Sequence, residues 1–116
     1  MIQEIYVVET LQYKYFSYSF SAKSIEGGYH VSLEAARQAI EHLTPRKGLW
    51  VLISRVPLGV LKPDESKEPL ELYEYVDEAK DYRRCFNANS PVERLIFRVL
   101  DIPYQTNKPQ NFRNFE

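Results

Sequence analysis

The stretch "LWVLI", Leu49 to Ile53, limits this chain more than any other. It is apolar at every position and rich in β-favouring residues, so as a strand it has no side to offer to water. It belongs at the centre of a sheet. Pro57 cannot donate to a ladder and Gly59 permits a bend, which predicts a break or bulge at "VPLG". "EIYVVE" near the start is a second short run of this kind, suited to a strand buried on both faces.

Between them lies "YKYFSYSFS", residues 13 to 21, where aromatic rings alternate with small polar residues. With a turn near Leu11 and Gln12, a period of two places Phe16, Tyr18 and Phe20 on one face and Tyr13 and Tyr15 on the other. Phe16 and Phe20 have no polar atom to satisfy, so their row is expected to be dry, and Tyr13 and Tyr15 to face outward. "LELYEYV" alternates in the same way, which makes Tyr73 and Tyr75 cross-strand neighbours for an exposed tyrosine surface.

Two helices are expected. Ser32 is an N-cap for a helix whose Leu33, Ala36, Ile40 and Leu43 share one face, and Thr44-Pro45 ends it. Ser90, Pro91 and Glu93 form a second helix start, followed by an apolar face of Val92, Leu95, Ile96, Val99 and Leu100. Asp77 to Phe86 reads as a short third helical segment, and Gly27-Gly28 as a loop or hairpin before the first helix. The expected fold is α+β, one antiparallel or mixed sheet of about four to five strands with two main helices packed on one face. Residues 1–101 form the domain and 102–116 an extended C-terminal tail anchored by Tyr104, Phe112 and Phe115.

A chain of 116 residues supports one modest core. Its 15 Lys and Arg against 16 Asp and Glu provide no overall field for a polyanion, which counts against nucleic acid as a partner. The tyrosine surface remains the one route to single strands. Cys85 is the only cysteine, so neither an internal disulfide nor a multi-cysteine metal site can form. The opening "MIQEIYVVET" carries no secretory signal, and no apolar run is long enough to span a membrane, so the expected setting is cytoplasmic, without membrane attachment.

No phosphate loop, dinucleotide fingerprint, zinc-protease motif or nucleophile elbow is present. The sequence therefore names no catalytic residue, no cofactor and no metal. His30, His42 and Cys85 read as a possible acid or base, a solvated imidazole and a small buried thiol respectively. The ligand-binding candidates are Arg83, Arg84, Phe86, Asn87 and Asn89 of "RRCFNAN", Arg94 and Arg98 one turn apart on the following helix, and Arg113 of "NFRNF". Arginine forks to phosphate, asparagine reads a polar edge and phenylalanine stacks, which are the parts of a nucleotide site.

The order "IYVVET", an aromatic second strand, "SLEAARQAI", "LWVLISRV" and an arginine-bearing C-terminal helix resembles the layout of small phage-encoded α+β proteins. Among these is the Thoeris anti-defence 1 family. The resemblance implies an oligomer that sequesters a cyclic ADP-ribose-type signal. A second likeness, to ADP-ribosyltransferase-type folds, rests on the glycine-led aromatic segment, helix and strand, but "EIYVVET" lacks the substrate-binding His or Arg. The expectation is thus a non-enzymatic binding protein, a viral or mobile-element inhibitor capturing a host protein or a small nucleotide, itself a homo-oligomer. The alternatives are a nucleotide-processing enzyme and a single-strand binder.

Overall fold

The structure, a computed structural model, describes residues 3–85 and 91–100. The fold is α+β, and the elements run β1 (Glu4–Lys14), β2 (Ser19–Phe20), β3 (Ser24–His30), α1 (Leu33–Ile40), β4 (Leu49–Pro57), a 3-10 turn (Pro63–Ser66), β5 (Glu68–Val76), β6 (Asp81–Cys85) and α2 (Pro91–Leu100). The six strands form one antiparallel sheet, more than the about four to five expected from pattern alone. β1 pairs with β4 from Glu4 opposite Pro57 to Gln12 opposite Leu49, and its other edge takes β3 and then β2. β5 and β6 extend the sheet beyond β4.

The two apolar runs occupy the centre, as their composition requires. Val8, Leu49, Val51 and Ile53 point to one face and pack under Ala36, Ile40 and Leu43 of α1 and its exit. Ser32 caps α1 by accepting from the Ala35 N–H at 3.1 Å, the arrangement the sequence predicts. Val7, Leu11, Trp50, Leu52, Val56 and Leu72 point to the opposite face and are also buried. Both faces of the central strands are therefore dry, as the two apolar runs predict, although helix cover was expected on one face of the sheet only.

Three rings of the aromatic stretch fall opposite to expectation, Tyr13 buried and Phe16 and Tyr18 exposed, while Tyr15 is outward and Phe20 inward as expected. Leu11 and Gln12 are not a turn, because β4 holds β1 extended past them. Tyr13 stays in phase with Val7 and Leu11 and is 5% exposed. The chain turns over Tyr15–Tyr18, so Phe16 and Tyr18 have no strand beside them and stand 87% and 76% exposed. Phe20 returns opposite Tyr13 and shares its face. A second correction concerns Asp77–Phe86. Residues 81–85 form β6 rather than a helix, because the turn at Ala79 and Lys80, with Lys80 at φ 53°, closes a hairpin onto β5.

Contacts divide the chain into two compact units, Met1–Arg84 and Cys85–Glu116. In the second, α2 buries Glu93, Ile96 and Phe97, while Val99 is half exposed. Of the expected face of Val92, Leu95, Ile96, Val99 and Leu100, Ile96 is buried, Val92, Leu95 and Leu100 are half-buried and Val99 is exposed, so the dry stripe is shifted toward Glu93 and Phe97. The Cys85 thiol lies 3.8 Å from a Glu93 carboxylate oxygen. Ser90, the expected N-cap, and the tail 102–116 lie outside the described residues.

β3 crosses β1 at close range. A Cβ on Gly27 would sit 2.2 Å from Val8 Cγ1, and Val8 is fully buried. Gly27→Ala is expected to lower stability by about 1–3 kcal/mol in urea unfolding. Combined with Val8→Ala, the double variant should lose less than the sum of the single losses. Strict additivity would show that the two sites do not press on each other.

Candidate functional site: the aromatic turn and its cleft

The turn between β1 and β2 is closed by the Ser17 N–H donating to Lys14 O at 3.2 Å and by the Ser17 and Ser19 hydroxyls 2.8 Å apart. Tyr18 adopts φ 52°, the left-handed region where a side chain is strained. Tyr15, Phe16 and Tyr18 project from this turn, Tyr15 being 51% exposed. A row of ring contacts ties it to the core. Tyr15 meets Tyr13 edge-on at 4.7 Å, Tyr13 meets Phe20 at 5.0 Å, and Phe20 meets Trp50 at 6.2 Å.

Beside the turn is an open cleft of about 320 Å³, lined by Tyr15, Lys47, Tyr75, Val76, Arg83 and the acidic residues Glu74, Asp77 and Glu78. Gly48, at φ 86°, makes its geometry possible. A Cβ there would lie 2.9 Å from Tyr13 O and 3.2 Å from the Tyr15 ring, so only glycine lets the approach to β4 run against the base of the turn. Lys47 Nζ sits 5.2 Å from the Tyr15 ring centre. Arg83 reaches across to Glu74 at 2.6 Å. Burial, then the Glu74 charge, the Tyr13 ring and Glu78, push the Tyr15 hydroxyl above its ordinary pKa, so it stays a neutral donor.

On the α1 face a separate polar network centres on Glu71, whose side chain is 3% exposed. Arg37 of α1 donates to both carboxylate oxygens, Tyr73 donates at 2.7 Å, and Arg84 approaches at 3.3 Å. Burial alone would raise Glu71, but these donors together hold it below the usual carboxylate range. Its hydrogen bond in turn raises Arg37, and burial with the same carboxylate raises Tyr73. A second network links Thr10, Glu26, Arg46 and Gln12, with Arg46 donating to Gln12 at 2.9 Å and to Glu26 at 2.8 Å.

The sequence-predicted residues separate between these places. Tyr15, Tyr75 and Arg83 meet in the cleft. Tyr75 is buried there against Tyr82 rather than outward, and Tyr13 is a core ring. Tyr73 belongs to the Glu71 network, as does Arg84, because successive strand residues point to opposite faces and send Arg83 and Arg84 to different partners. Arg94 and Arg98 are exposed on α2, and Phe86, Asn87, Asn89 and Arg113 lie outside the described residues. His30 engages the Gly27 carbonyl at 2.7 Å, and His42 is exposed. Sequence reasoning passed over Lys47 and Gly48, which carry no motif and matter only through where β4 begins.

The Glu71 network makes a signed prediction. Its folded pKa lies below the unfolded value of about 4.3, so its contribution is complete above that value and is lost as pH falls through the lower folded one. Glu71→Gln is expected to cost about 1–3 kcal/mol at neutral pH. Its urea midpoint should then fall less steeply than the wild type's on acidification, and parallel curves would remove Glu71 as the origin of that slope.

No family model matches the chain, and no curated protein or solved structure matches it.

Proposed function

We propose that this protein is a non-enzymatic binding protein that recognises another protein by inserting the rings of its β1–β2 turn. The observation that carries this reading is the turn itself. Tyr15, Phe16 and Tyr18 are exposed together on a short turn whose flanking rings, Tyr13 and Phe20, are packed inward. At about 200 Å² per ring residue, their exposure amounts to about 400 Å² of aromatic surface in one place. A patch of that size matches the largest apolar patch of a typical monomer, which is often functional.

Backbone conformation supports the same reading. Hairpins of lowest strain place Gly or Asn at left-handed positions, yet this chain holds Tyr18 there. Local strain joined to solvent-exposed rings is costly on both counts, and such conflicts concentrate at functional sites. A protein partner is favoured over a small nucleotide because Arg83 and Arg84 point to different faces, each already engaged with a carboxylate.

Two substitutions test the reading. Tyr18→Gly is expected to raise stability by about 1 kcal/mol, since it relieves the left-handed strain, while weakening partner capture. Phe16→Ser should leave thermal unfolding unchanged and abolish capture, read by native mass spectrometry of complexes purified from the cells that make the protein. Unaltered complexes with both variants would defeat the proposal.

A further inference from the structure

We propose that Lys47 and Gly48 are positioning residues for recognition, holding the Tyr15 ring in place before a partner arrives and making it the ordered anchor of the turn. The inference rests on the reading that the turn is a recognition element. Contacts from this one dipeptide converge on the base of the turn. The Gly48 carbonyl accepts the Tyr13 N–H at 2.8 Å, and the Lys47 carbonyl accepts from the Gln12 side-chain amide at 2.7 Å. A Cβ at position 48 would stand 3.2 Å from the Tyr15 ring, so with glycine the ring closes directly on the backbone. The Lys47 ammonium lies over the same ring, 5.2 Å from its centre and within reach of cation–π attraction.

The three exposed rings are thereby unequal. Tyr15 is held by Tyr13 edge-on, by the Gly48 backbone and by Lys47, whereas Phe16 and Tyr18 make no ring contact among the described residues and are the more exposed. Lys47 forms no ion pair among the described residues, so no carboxylate competes with the ring for its charge. A side chain ordered in advance gives up less freedom on binding, and the difference shows chiefly as slower dissociation. For one side chain it corresponds to about two- to tenfold in Kd.

Two variants of the full chain test the proposal: Lys47→Met keeps the apolar stem and removes the charge, and Lys47→Arg keeps a cation over the ring. In NMR spectra of the free protein, the Tyr15 ring protons are expected to be displaced by the neighbouring Tyr13 ring in the wild type and in Lys47→Arg. In Lys47→Met they should move toward the positions of an unstructured tyrosine. Thermal unfolding should be the same in all three, which separates positioning from support of the fold. Capture is read by native mass spectrometry over a dilution series of complexes purified from the cells that make the protein. Lys47→Met complexes should dissociate at about two- to tenfold higher concentration, and Lys47→Arg complexes as the wild type does. Gly48→Ala is expected to release the ring too, with a loss of stability because φ 86° disfavours any side chain. A Tyr15 ring unmoved by Lys47→Met, or one released without change in capture, overturns the inference. Capture lost in Phe16→Ser and unchanged in Lys47→Met removes the positioning role and leaves the binding function standing. Capture unchanged in Phe16→Ser and Tyr18→Gly, yet weakened in Lys47→Met with the ring released, supports an anchor at Tyr15 and removes insertion of the other rings.

Discussion

The register of β1 against β4 decides where every other part of the first unit falls. Alternation cannot set it alone, because from Val7 to Leu11 both faces of β1 are dry and a one-residue slip would still bury apolar side chains. Its polar residues remove the ambiguity. Glu9 must face Lys67, 3.3 Å away, Thr10 must face Glu26 on the opposite side, and Gln12 must reach both Arg46 and the Lys47 carbonyl at 2.7 Å. A slip by one residue would exchange these faces and leave buried polar groups without partners, at about 1–3 kcal/mol each. Gly27 on β3 leaves Val8 the space that a Cβ at position 27 would fill.

With that register fixed, α1 has a defined bed. Eight residues are too few to hold a helix in isolation, so its stability comes from docking. Ala36 and Ile40 supply the apolar part, over Val8, Val51 and Ile53. Arg37 supplies direction, since its fork to Glu71 is met only when the helix lies over β5 at one rotation and one height. Tyr73 and Arg84 complete the carboxylate's shell, which is why a charge so deeply buried is tolerated.

Elements set by local chemistry were legible in the sequence. The Ser32 cap, the Leu33–Ile40 helix, the central "LWVLI" strand and the alternating "LELYEYV" strand all follow from propensity and period. Elements set by partner strands were not. Nothing in "LQYKYFSYS" distinguishes a turn at Leu11 from one at Tyr15, because neither contains the Gly, Pro or Asn that usually marks one. β4, more than thirty residues further along the chain, decides it by pairing through Gln12. The same cause split the candidate site. Arg83 and Arg84 were grouped as adjacent cations on a presumed helix, whereas on β6 they are displayed on opposite faces.

The exposure of Phe16 and Tyr18 is what makes the turn unusual. Had Phe16, Tyr18 and Phe20 been the inner row, their lack of polar atoms would have been answered by burial and would call for no further reason. Extending β1 through Lys14 uses Tyr13 and Phe20 to cover Trp50, so the core at that end is already closed by two rings. Phe16 and Tyr18 then add nothing to the interior, and Tyr18 holds a left-handed backbone in order to stand where it does. Ser, Asn or Gly at those positions would close the same hairpin with less strain and less exposed apolar surface. Folding therefore gives no account of these rings.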